Sequence, residues 1–218
     1  MHRSGTSALV GSLQQRGLFL GRHSKHNPYN LRGNRENPDV VVLNEDILKD
    51  SGGSWRAPPT TVEWSPDHVE RATAILGEHS ERPLWGFKDP RTLMTLDGWL
   101  RLVPDLELVG VFRHPARVAR SLASRPKLQV EDPVELWRAH NTRLLEVHRR
   151  GAFPIVCFDD DPDVLARSFD RVAEILGLAA PTDEEPFFTA DLRRIDAEPT
   201  ELPADVSALY DELRALAL

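Results

Sequence analysis

The sequence predicts an α/β fold, a three-layer arrangement in which a parallel sheet carries helices on both faces. Short apolar runs of strand length at 84–87, 106–112 and 154–158 are separated by amphipathic segments of ten or more residues. Alternation of this kind is typical of βαβ units with parallel strands. Lys88 and Arg113 directly follow the first two runs, and ligands of such sheets bind at the carboxyl ends of the strands. The sequence therefore predicts an anion site at that edge.

The chain opens with a segment that can bind an anion. Residues 1–7 read Met-His-Arg-Ser-Gly-Thr-Ser, and an apolar-periodic helix follows at once. Gly5 allows close approach of the backbone, and the helix directs its first N–H groups at the same point. The alternative is that Ser4 or Thr6 merely caps the helix. The segment is not a Walker A loop, since no lysine precedes Thr6.

The remaining helices are predicted from apolar spacing and from their start and stop residues. The first helix should end near Gly17 or Gly21, and a long polar loop should follow at 23–37. Proline at the first helical position predicts several helix starts. The predicted helices are 40–48, 65–77, 92–102, 115–124, a long helix from Asp132–Pro133, 162–176 and 203–216.

Composition limits the class of protein. A length of 218 residues with 40% hydrophobic content suits one domain, 1–218. A net charge of −7 argues against a broad surface for nucleic acid or membrane. No apolar segment of 18 residues and no secretory leader is present, so a soluble cytoplasmic protein is expected. Cys157 lies in an apolar run and is expected to pack as a small apolar side chain.

Three segments together resemble the sulfotransferases that use 3′-phosphoadenosine 5′-phosphosulfate (PAPS), in their bacterial form. Residues 2–7 resemble the family's 5′-phosphosulfate loop. Arg113, with Ser121 eight positions later, resembles its 3′-phosphate motif, and residues 87–91 resemble its Lys-Asp-Pro-Arg segment. Arg113 at a strand end and Ser121 in the second turn of the next helix can also reach one phosphate on physical grounds. The alternative is that Arg113 pairs with a carboxylate and that Ser121 is simply exposed.

The resemblance implies a P-loop-NTPase-like fold and a metal-independent enzyme that moves a sulfuryl group from PAPS to a hydroxyl or amine. It implies that Arg3 and Lys88 stabilise the transferred group. A sulfuryl group carries less negative charge than a terminal phosphoryl group, so such donors can suffice without Mg²⁺. The cofactor-binding residues it implies are Arg3, Ser4, Gly5, Thr6, Ser7, Arg113 and Ser121.

The chain also departs from the family. Arg3 stands where many relatives have lysine, and Ala8 stands where cytosolic relatives have an aromatic residue. The family's C-terminal glycine-rich loop has no match, although Arg193 and Arg194 could substitute for it. Arg117 and Arg120 are expected on a solvated helix face. Asp89 is expected to orient Arg91 or Lys88.

The general base is predicted from a second resemblance. Gly33, Glu36 and Asn37, with Asn44 eight positions after Glu36, resemble a bacterial pattern of glycine, glutamate-asparagine and a later leucine-asparagine pair. A partly desolvated glutamate can accept a proton from an acceptor hydroxyl. His23 and His26 are the alternative bases.

Two further expectations concern the chain as a whole. Phosphate loops usually follow a strand, and this sequence begins inside the loop, so the first strand of the sheet is expected to be missing. The acceptor is expected to be a small molecule or glycan, contacted by 23–37 and 55–64. The other functions compatible with the sequence are a nucleotide or small-molecule kinase and a non-catalytic nucleotide-binding domain.

Overall fold

A computed structural model describes residues 1–24, 32–79, 81–124, 130–180, 185–189 and 201–218 of the chain. Helices dominate these residues, and the strands are short. In chain order the elements are α1 (Thr6–Gln15), α2 (Pro38–Asp50), α3 (Pro66–Gly77), α4 (Thr92–Leu102), β1 (Gly110–Phe112), α5 (Pro115–Ala123), α6 (Pro133–Arg150), β2 (Ile155–Cys157), α7 (Pro162–Ile175) and α8 (Ala204–Leu216). The predicted helices are all confirmed, with ends that differ by a few residues.

The predicted sheet is present only in part. Strands β1 and β2 pair in parallel, with Gly110 opposite Ile155 and Phe112 opposite Cys157. The predicted strand at 84–87 forms only an isolated parallel bridge, from Trp85 to Phe19. The predicted strand at 106–112 is shortened to its last three residues. The described residues are thus a helix-rich α/β arrangement with a two-stranded parallel sheet, not the full three-layer sheet that the sequence predicts.

Helix starts follow from local chemistry. Asn37 caps α2 by accepting a hydrogen bond from the backbone N–H of Asp39. Ser65 and His68 form a reciprocal capping box at α3, and Asp132 accepts from the N–H groups of Val134 and Glu135 at α6. Each of these three helices also has proline at its first position, where the missing N–H costs nothing.

The two strands send alternate side chains to opposite faces, where different helices cover them. Val111 and Val156 pack with α1 and α7, through residues that include Leu9 and Phe169. On the other face, Phe112, Ile155 and Cys157 pack with side chains of α6 and α8 that include Trp137 and Leu213. The sheet therefore lies between α1 and α7 on one face and α6 and α8 on the other. No helix among the described residues is long and apolar enough to cross a membrane.

Candidate anion site

The turn before α1 has a backbone that favours glycine. Gly5 has φ of 88°, in the left-handed region, and precedes the first helical residue, Thr6. A Cβ atom placed on Gly5 would collide with the ring of Phe158, directly after β2. Arg3 also adopts a positive φ of 67°, a conformation that is uncommon outside glycine. Close packing and backbone conformation together therefore require glycine at position 5.

The first turn of α1 is suited to an anion. Gly5 makes no side-chain cap for it, and the turn carries no acidic residue. Ser4 is fully buried, and its Oγ has no hydrogen-bond partner within the described part of the chain. A buried hydroxyl without a partner costs free energy. A helix start with open N–H groups and a spare hydroxyl beside it fits an anionic group.

Lys88 lies at this helix start and links it to the loop that carries Glu36. The Lys88 ammonium donates to Glu36 Oε1 at 2.7 Å, to the Asn34 carbonyl at 3.1 Å and to Ser7 Oγ at 3.4 Å. The Lys88 and Glu36 side chains are only 11% and 17% exposed. Burial lowers the pKa of Lys88, and the Glu36 carboxylate opposes that effect. The predicted catalytic pair and Ser7 are therefore in direct contact.

Arg3 and Ser121 connect two segments that the sequence keeps far apart. Arg3 donates from Nε to Ser121 Oγ at 2.9 Å, across 118 positions of sequence. Ser121 lies in α5 and is half-buried. The alternative of a simply exposed Ser121 is therefore wrong. The turn before α1 and the second turn of α5 are therefore in direct contact.

Arg113 is close to a carboxylate that the sequence analysis did not assign. Its Nε lies 3.7 Å from Asp159 Oδ1, and its side chain is 9% exposed. Asp159 also accepts from Arg117 Nη1 at 2.9 Å and from the backbone N–H of His114. The expectation that Arg117 lies on a solvated face is wrong, because its side chain is 24% exposed and bound to Asp159. Part of the Arg113 alternative, pairing with a carboxylate, is thus observed.

A buried polar network fixes the segment that carries Lys88. Asp89 accepts from Arg91 Nη1 at 2.7 Å and from Asn44 Nδ2 at 2.9 Å, and its side chain has no exposed surface. Asn44 Oδ1 accepts from Thr95 and from Trp99 Nε1 at 2.7 and 3.0 Å. Burial raises the pKa of Asp89, while the Arg91 guanidinium opposes that effect. Asp89 orients Arg91, as expected, and together they hold the backbone next to Lys88.

His23, one of the two alternative bases, has its hydrogen-bond contacts away from Lys88 and Glu36. His23 lies against the Gly21 carbonyl at 2.9 Å through Nδ1, while its Nε2 is 3.3 Å from both Gln14 and Arg35. His26, Arg193 and Arg194 lie outside the described residues. His2, which was not singled out, stacks on Trp55 with ring centroids 4.2 Å apart. Burial holds the pKa of His2 well below its usual value, and Arg91 adds to that effect.

The predicted site residues are brought together in part. Lys88 contacts both Ser7 and Glu36, Arg3 contacts Ser121, and Arg113 lies 3.7 Å from Asp159. The sequence analysis assigned no role to Asn34 or Asp159, although Asp159 follows a predicted strand, where ligand-facing polar residues collect. Among the described residues, no group of three or more His, Cys, Asp or Glu side chains is arranged to hold a metal ion.

Comparisons with known proteins add no relative: no family model, no curated protein and no solved structure matches the chain.

Proposed function

We propose that this chain is a sulfotransferase that binds PAPS and moves its sulfuryl group to a hydroxyl of a small-molecule or glycan acceptor. The observation that carries the proposal is the double contact at the start of α1. Lys88 donates to Ser7 in the first turn of α1, and Arg3, in the turn before α1, donates to Ser121 of α5. These contacts bring cations and hydroxyls from three separate segments together, and such groups could bind the anionic groups of one nucleotide.

The residues present fit such a cofactor. The buried Ser4 Oγ without a described partner is a donor that an anion at the start of α1 could use. Arg3, Ser4, Gly5, Thr6 and Ser7 would hold the 5′-phosphosulfate end. Arg113 and Ser121 would hold the 3′-phosphate. Since Asp159 already faces Arg113 at 3.7 Å, a bound phosphate would compete with that carboxylate for the guanidinium.

When bound, PAPS supplies an activated sulfuryl group on a phosphate leaving group. The chain's contribution is to stabilise negative charge with donors fixed in advance. Lys88 is held by Glu36 and Asn34 and lies at the helix start, where its ammonium can bind the oxygens of the transferred group. Arg3 offers a planar guanidinium, which binds oxyanions through two parallel hydrogen bonds.

The acceptor hydroxyl loses its proton as the new sulfur–oxygen bond forms, and Glu36 is the proposed base. Its carboxylate lies 2.7 Å from the Lys88 ammonium, so proton uptake takes place directly beside the cation that binds the transferred group. The Glu36 side chain is 17% exposed and can therefore be reached by a hydroxyl from solvent. The Lys88–Glu36 pair keeps base and cation in one place.

The test is transfer of label from radiolabelled PAPS to a panel of hydroxylated sugars, lipid headgroups and natural products. Labelled product from any acceptor, lost on Lys88→Ala, supports the proposal. Transfer of label from γ-labelled ATP with Mg²⁺, without transfer from PAPS, would establish the kinase alternative. Binding of the nucleotide without transfer to any acceptor would favour the non-catalytic alternative.

A further inference from the structure

An apolar slot lies beside the two-stranded sheet. It has a volume of about 570 Å³ and runs between residues 83–89 on one side and 105–111 on the other. The site residues Lys88 and Thr6 line it, and so do Asp105 and Glu107. Lys88 lies near the carboxyl end of the first wall, and Arg113 comes shortly after the second. Both walls therefore run toward the anion site in the same direction.

Both walls of the slot present the hydrogen-bonding edge of a strand. On β1, Gly110 and Phe112 bond to β2, through Gly110 N–H to the Pro154 carbonyl and Phe158 N–H to the Phe112 carbonyl, each at 2.8 Å. In a parallel pair the residues between these bonds direct their N–H and C=O groups to the opposite side. The backbone groups of Val109 and Val111 therefore face away from β2.

The other wall repeats this geometry. Phe19 bonds to the Leu84 carbonyl at 3.1 Å and accepts from the Gly86 N–H at 3.0 Å. Trp85 and Phe87 consequently direct their N–H and C=O groups away from Phe19. Within the described residues and outside the β1–β2 ladder, no backbone hydrogen bond to another segment involves Trp85, Phe87, Val109 or Val111. Unpaired polar edges beside apolar surface are costly and bind strands readily.

The faces above and below the slot are both apolar. Leu9 and Leu13 of α1 line it, and so do Leu144 and Val147 of α6. A strand between the walls would send alternate side chains to these two sets of residues. Strands covered on both faces are continuous apolar runs rather than alternating ones, rich in Val and Ile. The slot therefore selects an apolar segment of about six residues, since a paired strand rises by the same distance per residue as the walls, 83–89 and 105–111, that it would run beside.

Charge gives the direction of the segment. Asp105 and Glu107 are exposed and come before β1, at the end of the slot away from the anion site. A strand parallel to both walls would place its amino end there. A basic amino end complements these two carboxylates and sets the direction of binding.

We propose that the slot binds an extended apolar peptide with a basic amino end, which pairs in parallel with 85–87 and 109–111 and joins the two walls into one sheet. The peptide would complete hydrogen bonds on both edges and bury apolar side chains on both faces. This binding is separate from the proposed sulfuryl transfer and needs no nucleotide.

The probe is the synthetic peptide Lys-Val-Ile-Val-Ile-Val amide, titrated into the full chain and followed by the thermal midpoint and by calorimetry. The matched control has the same sequence with N-methyl groups on the second and fourth residues, which removes two N–H donors but keeps charge and side chains. Saturable binding, with the N-methylated peptide about tenfold weaker, is expected from the loss of two backbone hydrogen bonds. Equal binding of both peptides, or no binding of the first, would overturn the proposal.

A substitution of an exposed charged residue tests the direction of the bound peptide without changing the core. Glu107→Lys should weaken the peptide about threefold, because it replaces an attractive exposed charge by a repulsive one. Glu131→Lys, an exposed position that does not line the slot, is the control and should leave the affinity unchanged. An equal effect of the two variants would contradict the assigned direction.

Discussion

Arg3 donates a hydrogen bond from Nε to Ser121 Oγ at 2.9 Å, so the turn before α1 and the helix α5 share a direct contact. The sequence separates these residues by 118 positions, and each was predicted to bind a different phosphate of the same cofactor. Their contact places both predicted ends of the site on one surface.

Replacing Arg113 should weaken binding of adenosine 3′,5′-bisphosphate. Arg113→Ala is expected to cost about 1.5–3 kcal/mol of binding free energy, the range for a hydrogen bond to a charged group. Arg120→Ala, an exposed residue of α5, is the control and should change the affinity by less than about 0.5 kcal/mol. Calorimetric titration measures both. Equal affinities of the Arg113 variant and the parent chain would remove the 3′-phosphate assignment.

Replacing Glu36 should slow transfer and leave nucleotide binding intact. Glu36→Gln keeps the shape of the side chain but removes the base, so kcat should fall by about 10²–10⁴-fold. His23→Gln is the comparison and should change kcat little, because His23 contacts Gly21, Gln14 and Arg35 rather than Lys88. A loss below about fivefold for Glu36→Gln at saturating substrates would exclude Glu36 as the base.

The turn before α1 can be tested with a pair of glycine variants. Gly5 and Gly17 both have positive φ, 88° and 97°, but only at Gly5 would a Cβ meet another residue, Phe158. Gly17→Ala should cost about 1–2 kcal/mol of unfolding free energy from the backbone alone. Gly5→Ala should cost more and should also weaken bisphosphate binding. Urea denaturation gives the comparison, and equal costs at the two sites would show that the Phe158 contact is unimportant.

The Asn44 network should be a main source of local stability. Asn44 is fully buried and bonds to Asp89, Thr92, Thr95 and Trp99. Asn44→Ala leaves several of these groups unpaired, and we expect a loss of about 3 kcal/mol in unfolding free energy. Val42→Ala on the same helix, where the residue is 51% exposed, should change stability by less than about 0.5 kcal/mol. A similar loss in both variants would contradict this role.

Buried His140 should make the fold sensitive to acid. Its Nε2 lies 3.1 Å from the Trp55 carbonyl, and burial lowers its pKa from 6.5 to about 3. The unfolded chain therefore binds this proton more readily, so the stabilisation is complete above about pH 6.5 and is lost as pH falls toward 3. From pH 7 to pH 5, the parent chain should lose about 2 kcal/mol more than His140→Gln. Equal slopes of unfolding free energy against pH would contradict the assignment.

The helices were predictable because their signals are local. Proline at the first position, the Asn37, Ser65 and Asp132 caps and the apolar spacing all lie within one or two turns of the helix that they start. The lengths of the strands could not be predicted from local signals. Residues 84–87 and 106–109 have strand composition, but a strand exists only where a partner edge is present.

The site was likewise predictable only in part, because its contacts join residues that are far apart in the sequence. The Lys88–Glu36 pair joins two residues that were each singled out by motif, although their 2.7 Å contact could not be read from spacing. Asp159 has only a weak sequence signal. It nevertheless pairs with Arg117, accepts from the backbone N–H of His114 and lies close to Arg113, because β1 and β2 pack side by side. The position of Asp159 among these cations depends on the tertiary structure, which a sequence motif does not describe.

The measurement that tests the central proposal most directly compares two ligands with the full chain. A ligand that binds only the folded state raises the thermal midpoint, and at a fixed concentration a tighter ligand raises it more. We expect adenosine 3′,5′-bisphosphate without metal to raise the midpoint, with the effect lost in Arg3→Ala and Arg113→Ala but kept in Arg120→Ala. A midpoint raised by ATP with Mg²⁺ and unchanged by the bisphosphate would contradict the proposed function.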